Sequence, residues 1–322
     1  MNNELRTPLL SICIPTWNRG SFLKESLTKI GRQINNLGSE YIELIVSDNA
    51  STDKTSQVVK DFIAQGMPIK YNRNRENVGA GRNFLLCINK AKGKYIWLLG
   101  DDDFLKENAL KQLIEILKGK DYGLLHLYTQ GSKIEEATFI SDRNIFLCKV
   151  SYWITFMSGN IFNRDIIEEG TQPEKYIPSD LLQVPYYLEA ALCHSENVII
   201  GINNILYPAA DSTNNGGYNF FKVFVKYHLD IWHEKLTKYN IDMKVYDYIR
   251  KDLFIKHVVQ FMVLLLLRRK RVSSKASKYE RNRFKIDGAW QILFHYYGDT
   301  FYFYYYPIVF LLKKVCKLIK CH

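Results

Sequence analysis

The stretch Gly93-Lys-Tyr-Ile-Trp-Leu-Leu-Gly-Asp-Asp-Asp-Phe104 determines how the rest of the chain is interpreted. Residues 95–99 are all apolar or aromatic, and this continuous pattern predicts a strand that is buried on both faces of a parallel sheet. Gly100 ends the strand, and three carboxylates follow it directly: Asp101, Asp102 and Asp103. Ligands of open α/β sheets lie beyond the carboxyl ends of the strands, so these aspartates are predicted to line a binding site.

The charge of this triplet favours a bound cation. Three adjacent carboxylates repel one another unless positive charge lies among them. Mg²⁺ or Mn²⁺ is the expected partner, because such ions prefer oxygen ligands and often also hold a substrate phosphate. The alternative is a solvated turn whose aspartates cap the following helix, since Asp is common at helix N-termini. The neighbouring sequence has to decide between these two interpretations.

The composition is that of a globular protein with one large domain or two smaller ones. Its 322 residues include 44 Lys and Arg against 33 Asp and Glu, and the excess of positive charge lies mainly after about residue 220. The six cysteines have neither metal-binding nor disulfide spacing: Cys13, Cys87, Cys148, Cys193, Cys316 and Cys321. Those at positions 13, 87 and 193 lie in apolar runs and are predicted to be core residues in a reducing cytoplasm.

Neither secretion nor membrane insertion is expected from the sequence. The first residues contain no basic segment followed by an apolar one, which argues against a secretory leader. A spanning helix needs roughly 18 to 20 apolar residues. The longest candidate, Val258–Leu267, is too short and contains Gln260.

Strands and helices alternate through the first third of the chain. The predicted elements are the strands Leu9–Ile14, Tyr41–Val46 and Ile69–Tyr71, a helix capped by Ser21, and the helices Lys54–Ile63 and Arg82–Ala91. Polar clusters at the strand exits indicate a nucleotide-binding half-domain. Because the GxGxxG and Walker patterns are missing, a dinucleotide dehydrogenase and a phosphate-loop ATPase are both excluded.

Four motifs then identify a family. They are Ile14-Pro-Thr-Trp-Asn-Arg19, Val46-Ser-Asp-Asn-Ala-Ser-Thr-Asp53, Glu76-Asn-Val-Gly79 and Gly100-Asp-Asp-Asp103. In this order and spacing, the set resembles the nucleotide-sugar domain of family 2 glycosyltransferases, and within them the abequosyltransferase-like enzymes of bacterial surface polysaccharide. The resemblance implies the GT-A fold, an α/β class with a Rossmann-like mixed sheet flanked by helices, here followed by a C-terminal helical extension.

The resemblance also implies roles for individual residues. The donor nucleotide would be held by Pro15, Thr16, Asn18, Arg19, Asp48, Asn77, Gly79, Arg82, Asp101 and Asp102. Asp103, the last position of the family's DxD motif, would bind Mn²⁺ or Mg²⁺ directly. Structural alternatives remain open: Asn18 and Ser51 as simple caps, Gly79 as a backbone bend, and the polar cluster 47–53 as a cap of the second helix.

The middle of the chain should supply the acceptor side and a general base. A strand is predicted at Tyr122–Tyr128, and strands or loops are predicted at Thr138–Ile140 and Asn144–Cys148. The stretch Met157–Asn163, with Ser158 and Gly159 and a short strand, runs beside the acceptor in the enzymes that this chain resembles. A helix is predicted to open at Pro178-Ser179-Asp180 and to be interrupted or reset at Pro185. Asp180 matches the place of the family's catalytic base, although position 179 is serine instead of the commoner glutamate. Alternatively, Asp180 only complements the helix dipole.

Two further residues are reserve candidates for the base, His194 and Asp211. His194 is expected mainly to close the preceding helix. Asp211 belongs to the segment Asp211-Ser-Thr-Asn-Asn-Gly-Gly217, whose small polar residues suit either a mobile lid or a plain linker.

The last third is predicted to be helical, basic and rich in aromatic residues. Apolar residues at helical spacing are Phe221, Val225, Leu229 and Trp232. A helix at Val245–Leu267 runs into Arg268-Arg-Lys-Arg271, and after the aromatic run Phe301–Tyr306 the segment Ile308–Lys320 sets leucines opposite lysines. This pattern favours a helix on an anionic membrane surface. Packing on the catalytic domain or in a homo-oligomer is the alternative, and no nucleic-acid partner is expected because no such module is present.

The family resemblance, with the basic C-terminal pattern, implies a cytoplasmic glycosyltransferase that is peripheral on the inner face of a bacterial membrane. Residues 1–215 would form the catalytic domain, with 1–125 as the nucleotide-sugar half and 126–215 as the acceptor half, and residues 216–322 the membrane-associating or oligomerising region. Such an enzyme would transfer a sugar, with inversion, to a lipid-linked glycan of O-antigen or capsule synthesis. The alternatives are a sugar nucleotidyltransferase and a non-catalytic membrane adaptor.

Overall fold

The computed structural model describes residues 7–37, 39–129, 136–167, 173–208, 219–267 and 288–320. The chain divides into two compact units, Met1–Thr213 and Asn214–His322. The segments 211–217 and 268–271, with the predicted lid, Asp211 and the basic run, lie outside the described residues.

The first unit is built on a mixed sheet with strand order β3-β2-β1-β4-β8-β6-β9-β7. Its strands are β1 Leu10–Thr16, β2 Ile42–Asp48, β3 Ile69–Arg73, β4 Tyr95–Leu98, β6 Leu124–Tyr128, β7 Thr138–Ile140, β8 Asn160–Asn163 and β9 Asn197–Gly201. A separate pair joins β5 Asp103–Leu105 to β10 Leu206–Pro208. The mixed α/β sheet predicted from the sequence is confirmed.

The first four strands are parallel, and this fixes where the polar loops meet. Leu10 on β1 is paired with Ile42 on β2 and with Tyr95 on β4, while β2 is parallel to β3. Every residue of β1, β2 and β4 is buried, as expected for strands covered on both faces. The loops after these strands therefore leave from the same edge of the sheet.

Six helices flank this sheet in the described residues. They are α1 Gly20–Leu37, α2 Thr55–Ala64, α3 Ala80–Lys90, α4 Ala109–Gly119, α5 Arg143–Val150 and α6 Gln183–Cys193. In α1, Leu23, Leu27 and Ile30 are fully buried on one face. Ser21 is not the N-cap that the sequence predicted, because the helix already begins at Gly20, whose amide donates to Asp53 Oδ2 at 3.0 Å.

Several expectations for the acceptor half were wrong. Residues 144–148, predicted as strand or loop, lie in α5, which is capped by Asp142. The helix predicted to open at residues 178–180 is instead a 3₁₀ segment, Pro173–Ser179, and α6 starts only at Gln183. Pro185 does not interrupt α6, because it lies in the first turn, where backbone N–H groups have no intrahelical acceptor.

The predicted burial of the cysteines is confirmed at two of three positions. Cys13 and Cys87 are buried, whereas Cys193 is partly exposed at the end of α6.

The second unit is helical. Its elements are the π-helical turn Phe221–Tyr227, α7 His228–Lys238, α8 Met243–Leu253, the π-helical turn Phe254–Val258, α9 Val259–Leu267, α10 Ala289–Tyr297 and α11 Phe301–Lys320. The apolar face predicted from residues 221, 225, 229 and 232 is fully buried. The last helix is longer than predicted, because it includes the aromatic run and Pro307. In the described part of the chain, no helix combines the length and apolar character needed to span a bilayer.

Candidate active site

Asp101 lies at the centre of the predicted site and is almost entirely buried. Its Oδ1 accepts a hydrogen bond from Arg19 Nε at 2.7 Å, and its Oδ2 accepts one from the Thr16 hydroxyl at 2.7 Å. The same guanidinium pairs with the Asp102 carboxylate. The loop after β1 thus provides the cation that holds the first two aspartates of the loop after β4.

Asp103 is held from another direction, by Ser158. The Ser158 hydroxyl donates to Asp103 Oδ2 at 2.6 Å and accepts the Gly100 amide hydrogen at 2.8 Å. A Cβ on Gly100 would lie 2.8 Å from Asp103 Oδ2 and 3.2 Å from Asp102 Oδ1. Both carboxylates therefore converge over the glycine backbone, and any side chain at position 100 would displace them.

Burial disfavours the ionised forms of the two innermost carboxylates, Asp101 and Asp103. Burial raises the pKa of Asp101 to about 6, against the opposing effects of Arg19 and Thr16. Burial likewise raises the pKa of Asp103 to about 6, with the Ser158 hydroxyl opposing the shift. Oxygen-only ligands at a site that lacks sufficient positive charge suit a hard divalent cation, so these residues fit Mg²⁺ or Mn²⁺.

Asp48 occupies a buried position at the end of β2. Its Oδ1 accepts the Ser51 amide hydrogen at 2.8 Å, and its Oδ2 accepts the Tyr71 hydroxyl hydrogen at 2.7 Å. Arg73 Nε lies 3.4 Å from the same oxygen. Within the polar cluster 47–53, Asp53 and not Asp48 caps the start of α2, because Asp53 Oδ1 accepts the Thr55 amide hydrogen at 2.9 Å.

Asparagines connect the loops after β1, β2 and β3. Asn18 Oδ1 accepts the Thr52 backbone amide hydrogen at 2.7 Å, and the backbone N–H of Asn18 donates to the Ser51 hydroxyl. Asn49 Nδ2 donates to Asn77 Oδ1 at 2.8 Å. The four motifs quoted from the sequence are therefore brought to one edge of the sheet through direct contacts.

The residues predicted to border the donor lie on the outer side of this edge. Asn77 is exposed and accepts the Gly79 amide hydrogen at 2.9 Å. Gly79 has φ +85 and precedes α3, a backbone conformation that favours glycine. Arg82 is exposed in the first turn of α3, whereas Pro15 is buried within β1.

Asp180 is exposed and lies in the turn between the 3₁₀ segment and α6, with φ +57. Ser179 shapes that turn: its hydroxyl donates to the Tyr176 carbonyl at 2.6 Å and accepts the Leu181 amide hydrogen at 3.0 Å. Serine at this position, which differs from the family's usual glutamate, thus has a local structural role.

Contacts on both sides tie this turn to the donor edge. A Cβ on Gly81, in the first turn of α3, would lie 3.6 Å from the Ile177 side chain. From α6, Tyr187 donates to the Met157 carbonyl at 3.0 Å, next to Ser158. The 3₁₀ segment that precedes Asp180 therefore lies against α3, and α6, which follows Asp180, is joined to the segment that supports Asp103.

His194 does not belong to this site. It lies near Asn163 at the end of β8, and Asn163 is paired with Tyr95 at the start of β4. This is the opposite edge of the sheet from the acidic triplet, which follows the end of β4.

The sequence did not assign roles to some of the residues that shape the site. Ser158 was placed beside the acceptor but not on Asp103, and Tyr71 and Asn83 were not singled out. Asn83 is buried and joins α3 to β2 through Ser47 at 2.7 Å. A polar residue on the buried face of an otherwise amphipathic helix is the one signal that could have identified it.

Comparisons with known proteins agree with this geometry. Residues 11–168 match the family model described as Glycosyl transferase family 2. Abequosyltransferase RfbV of Salmonella typhimurium is 43% identical over 104 residues, which is 32% of this chain and 30% of that protein. The GalNAc(5)-diNAcBac-PP-undecaprenol beta-1,3-glucosyltransferase of Campylobacter jejuni is 27% identical over 179 residues, 50% of this chain and 56% of its own length. The chain thus spans less than two thirds of either relative.

Solved structures share the fold at low sequence identity. S. aureus TarS 1-349 in complex with UDP-GlcNAc superposes with a TM-score of 0.66 at 14% identity, covering 88% of this chain and 80% of that one. The mannosyltransferase PcManGT from Pyrobaculum calidifontis, in complex with GDP-Man and Mn²⁺, gives 0.58 at 12% identity, covering 97% and 80%. The predicted GT-A fold is confirmed.

Proposed function

We propose, from the match of residues 11–168 to glycosyl transferase family 2, that the chain transfers a sugar, with inversion, from a nucleoside-diphosphate sugar to an acceptor hydroxyl. The acceptor is a lipid-linked glycan intermediate of bacterial surface polysaccharide. Residues 1–215 act as the catalytic domain, with the donor bound mainly by 1–125 and the acceptor by 126–215.

The carboxylate cluster over Gly100 carries this proposal. Asp103 would supply an oxygen ligand for Mg²⁺ or Mn²⁺, which as a Lewis acid would neutralise the charge that develops on the leaving diphosphate, while Asp101 would contact the donor ribose or a metal-bound water. Thr16 and Arg19 hold Asp101 and Asp102 in place. The exposed Asn77, Gly79 and Arg82 border the donor on the outer side, where the Arg82 guanidinium suits a diphosphate.

Asp180 is the general base of the proposed reaction. Inverting transfer requires a carboxylate to take the proton from the attacking hydroxyl as its oxygen bonds to the sugar carbon and the diphosphate departs. Asp180 is exposed on a turn between a 3₁₀ segment that lies against α3 and α6, which is joined to the Ser158 segment. This position leaves it open to an acceptor arriving from solvent.

Product analysis tests the proposal. The full chain is incubated with Mn²⁺, a panel of nucleoside-diphosphate sugars and a lipid-linked glycan extract, and the released nucleotide is identified. Release of nucleoside diphosphate with an extended glycan is expected. Release of pyrophosphate from a nucleoside triphosphate and a sugar phosphate would instead identify a nucleotidyltransferase. A screen of the same nucleotides by thermal shift checks binding, because a ligand specific to the folded chain raises its midpoint; no binding would favour the adaptor.

The second unit is proposed to hold the enzyme at the inner face of the membrane. Along α11, Phe301, Tyr305, Ile308 and Leu312 are each at least half exposed. Their spacing of four, three and four residues places them on one helix face. Aromatic and aliphatic side chains along a helix in a chain of net charge +11 suit the interface of an anionic bilayer.

Vesicle binding tests this second part. The full chain should co-sediment with vesicles of phosphatidylcholine and phosphatidylglycerol but weakly with phosphatidylcholine alone. The double variant Ile308→Ser, Leu312→Ser should lose most of this binding, whereas Phe139→Ser, an exposed aromatic residue of the first unit, should retain it. Unchanged vesicle binding by the double variant would overturn the membrane role of this helix face. A concentration-dependent oligomer that the double variant alone fails to form would assign the face to a second copy of the chain.

A further inference from the structure

Five consecutive backbone carbonyls before β8 each accept a hydrogen bond from a side chain. They belong to residues 154–158, here called the carbonyl segment, which lies across the two 3₁₀ turns Ser151–Thr155 and Met157–Gly159. The donors come from β4, β8 and α6, so three elements of the domain hold this irregular segment in place. They are Asn160 Nδ2 to the Ile154 carbonyl at 3.2 Å and to the Phe156 carbonyl at 2.8 Å, Gln183 Nε2 to Thr155 at 3.1 Å, the Tyr187 hydroxyl to Met157 at 3.0 Å, and Trp97 Nε1 to Ser158 at 2.9 Å.

The four donor residues are all buried. Buried carbonyls need hydrogen-bond donors in any protein, so these contacts stabilise the fold whatever else they do. A role in the proposed site depends on whether they also determine the direction of a side chain that contacts it. Ser158, the last residue of the carbonyl segment, is that side chain.

The peptide units on both sides of Ser158 are held by side-chain donors. Tyr187 fixes the Met157 carbonyl before it, and Trp97 fixes the Ser158 carbonyl after it. Peptide units are planar, so the two that meet at a Cα determine the direction of its Cα–Cβ bond. The Ser158 hydroxyl is thereby directed at Asp103 Oδ2, to which it donates at 2.6 Å.

Asn160, which holds the first part of the carbonyl segment, is itself oriented by a buried histidine. Both of its amide hydrogens are donated to the Ile154 and Phe156 carbonyls, so its Oδ1 is an acceptor. His126 Nδ1, at 2.8 Å from this oxygen, is therefore the donor. Burial lowers the pKa of His126 to about 4, so the ring is neutral at pH 7 with its hydrogen on Nδ1. The carbonyl segment thus has one defined hydrogen-bond arrangement at neutral pH.

We infer that Tyr187 is a positioning residue for Asp103, acting together with Trp97 through the Ser158 hydroxyl. The inference rests on the metal role proposed above for Asp103. Tyr187 lies on α6, the helix that follows Asp180, and its hydroxyl reaches the segment that supports the proposed metal ligand. The helix after the proposed base thus also orients the proposed metal ligand.

Tyr187→Phe tests this inference, because it removes the hydroxyl and keeps the ring. Mn²⁺ is titrated into the full chain by calorimetry, and thermal unfolding is followed separately in EDTA. The Mn²⁺ dissociation constant should rise about threefold, the size expected from one neutral hydrogen bond.

Tyr95→Phe is the matched control. Tyr95 is also buried, and its hydroxyl donates to the Lys120 carbonyl and accepts the Tyr122 amide hydrogen at the start of β4, away from the acidic triplet. Both variants should unfold at a lower temperature than the parent chain in EDTA. Weaker Mn²⁺ binding is expected for Tyr187→Phe alone.

A double-mutant cycle shows whether Tyr187 acts through Ser158. In the Ser158→Ala background, Tyr187→Phe should still lower the unfolding temperature but should no longer change the Mn²⁺ dissociation constant. Equal Mn²⁺ binding by Tyr187→Phe and the parent chain, or an effect of the same size in the Ser158→Ala background, would overturn this inference alone. A parent chain that does not bind Mn²⁺ would instead overturn the metal role in the proposed function, and this inference with it.

Discussion

Buried carboxylates lie both where the parallel strands begin, the amino edge of the sheet, and where they end, the carboxyl edge. Their pKa values are shifted in opposite directions at the two edges. Glu43, the second residue of β2, is buried beside the starts of β1 and β4, and it accepts hydrogen bonds from Ser11, Lys70 and the Lys92 amide. Burial favours its neutral form, but these donors outweigh burial, and the pKa of Glu43 is lowered. At the carboxyl edge the balance is reversed, and the pKa values of Asp101 and Asp103 are raised to about 6.

The difference indicates what each edge is for. A carboxylate whose donors are complete stabilises the folded chain by itself, because its charge is already balanced by the protein. A carboxylate that burial disfavours costs stability at neutral pH until a cation arrives. We therefore infer a structural role for Glu43 at the amino edge, whereas the unbalanced carboxylates at the carboxyl edge fit the ligand site that we propose there.

The largest expected effect is that of Asp103→Asn, which should lower activity while it raises stability. Asp103→Asn should lower kcat/KM for sugar transfer by about a thousandfold, the size of a lost charge-stabilising group. In EDTA at pH 7 the same variant should unfold at a higher temperature than the parent chain. The reason is that a folded-state pKa raised above the unfolded value makes the ionised aspartate unfavourable at that pH. Lower stability with full activity would mean that Asp103 is structural like Glu43.

Asp180→Asn should have the second largest effect on activity. A missing general base costs about a hundredfold or more in kcat, while the KM for the donor should hardly change, since Asp180 is not part of the donor edge. The matched control is Glu174→Gln, an exposed carboxylate on the adjoining 3₁₀ segment that should retain activity. Near-native turnover of Asp180→Asn in a steady-state assay would transfer the base to another residue.

The carboxyl edge could be predicted from sequence because its chemistry is local. Each motif follows a strand with an unmistakable apolar run, and parallel strands bring their exits together. The contacts of Thr16 and Arg19 with Asp101 follow from that rule alone once the strand order is known. The family resemblance then supplied the roles, which the structure does not by itself assign.

Long-range partners and backbone geometry were beyond sequence reasoning. Ser158 is separated from Asp103 by 55 positions, and its contact arises because β8 inserts antiparallel beside β4. The start of α6 was misplaced because Pro178 and Asp180 are typical of helix N-termini, yet Asp180 adopts φ +57, which ends the 3₁₀ segment. Residues 144–148 were predicted as strand or loop because a short apolar run has no diagnostic period.

Glu43→Gln should have an intermediate effect, on stability instead of transfer. Hydrogen bonds to a charged group contribute about 1.5 to 3 kcal/mol, so the variant should lose about 2 kcal/mol of unfolding free energy at pH 7. Because the folded-state pKa is lowered, this contribution exists above the unfolded value and disappears as pH falls through the folded one. In urea titrations, the difference in unfolding free energy between variant and parent should therefore be present at pH 7 and smaller at pH 3. Glu25→Gln, an exposed glutamate of α1, should cost far less.

Ser158→Ala should have the smallest effect on turnover and the most specific one. The variant removes the donor to Asp103 Oδ2 and leaves the buried Gly100 amide without its acceptor. Asp103 would then be less well oriented and harder to ionise, so the Mn²⁺ concentration for half-maximal activity should rise about tenfold, equivalent to one hydrogen bond to a charged group. At saturating Mn²⁺, kcat should stay within about threefold of the parent chain if Ser158 only positions the ligand. An unchanged metal requirement with a large loss of kcat would instead give Ser158 a direct role in the reaction. Catalysis would then depend on Ser158, from the acceptor half, as well as on the three aspartates of the nucleotide-sugar half.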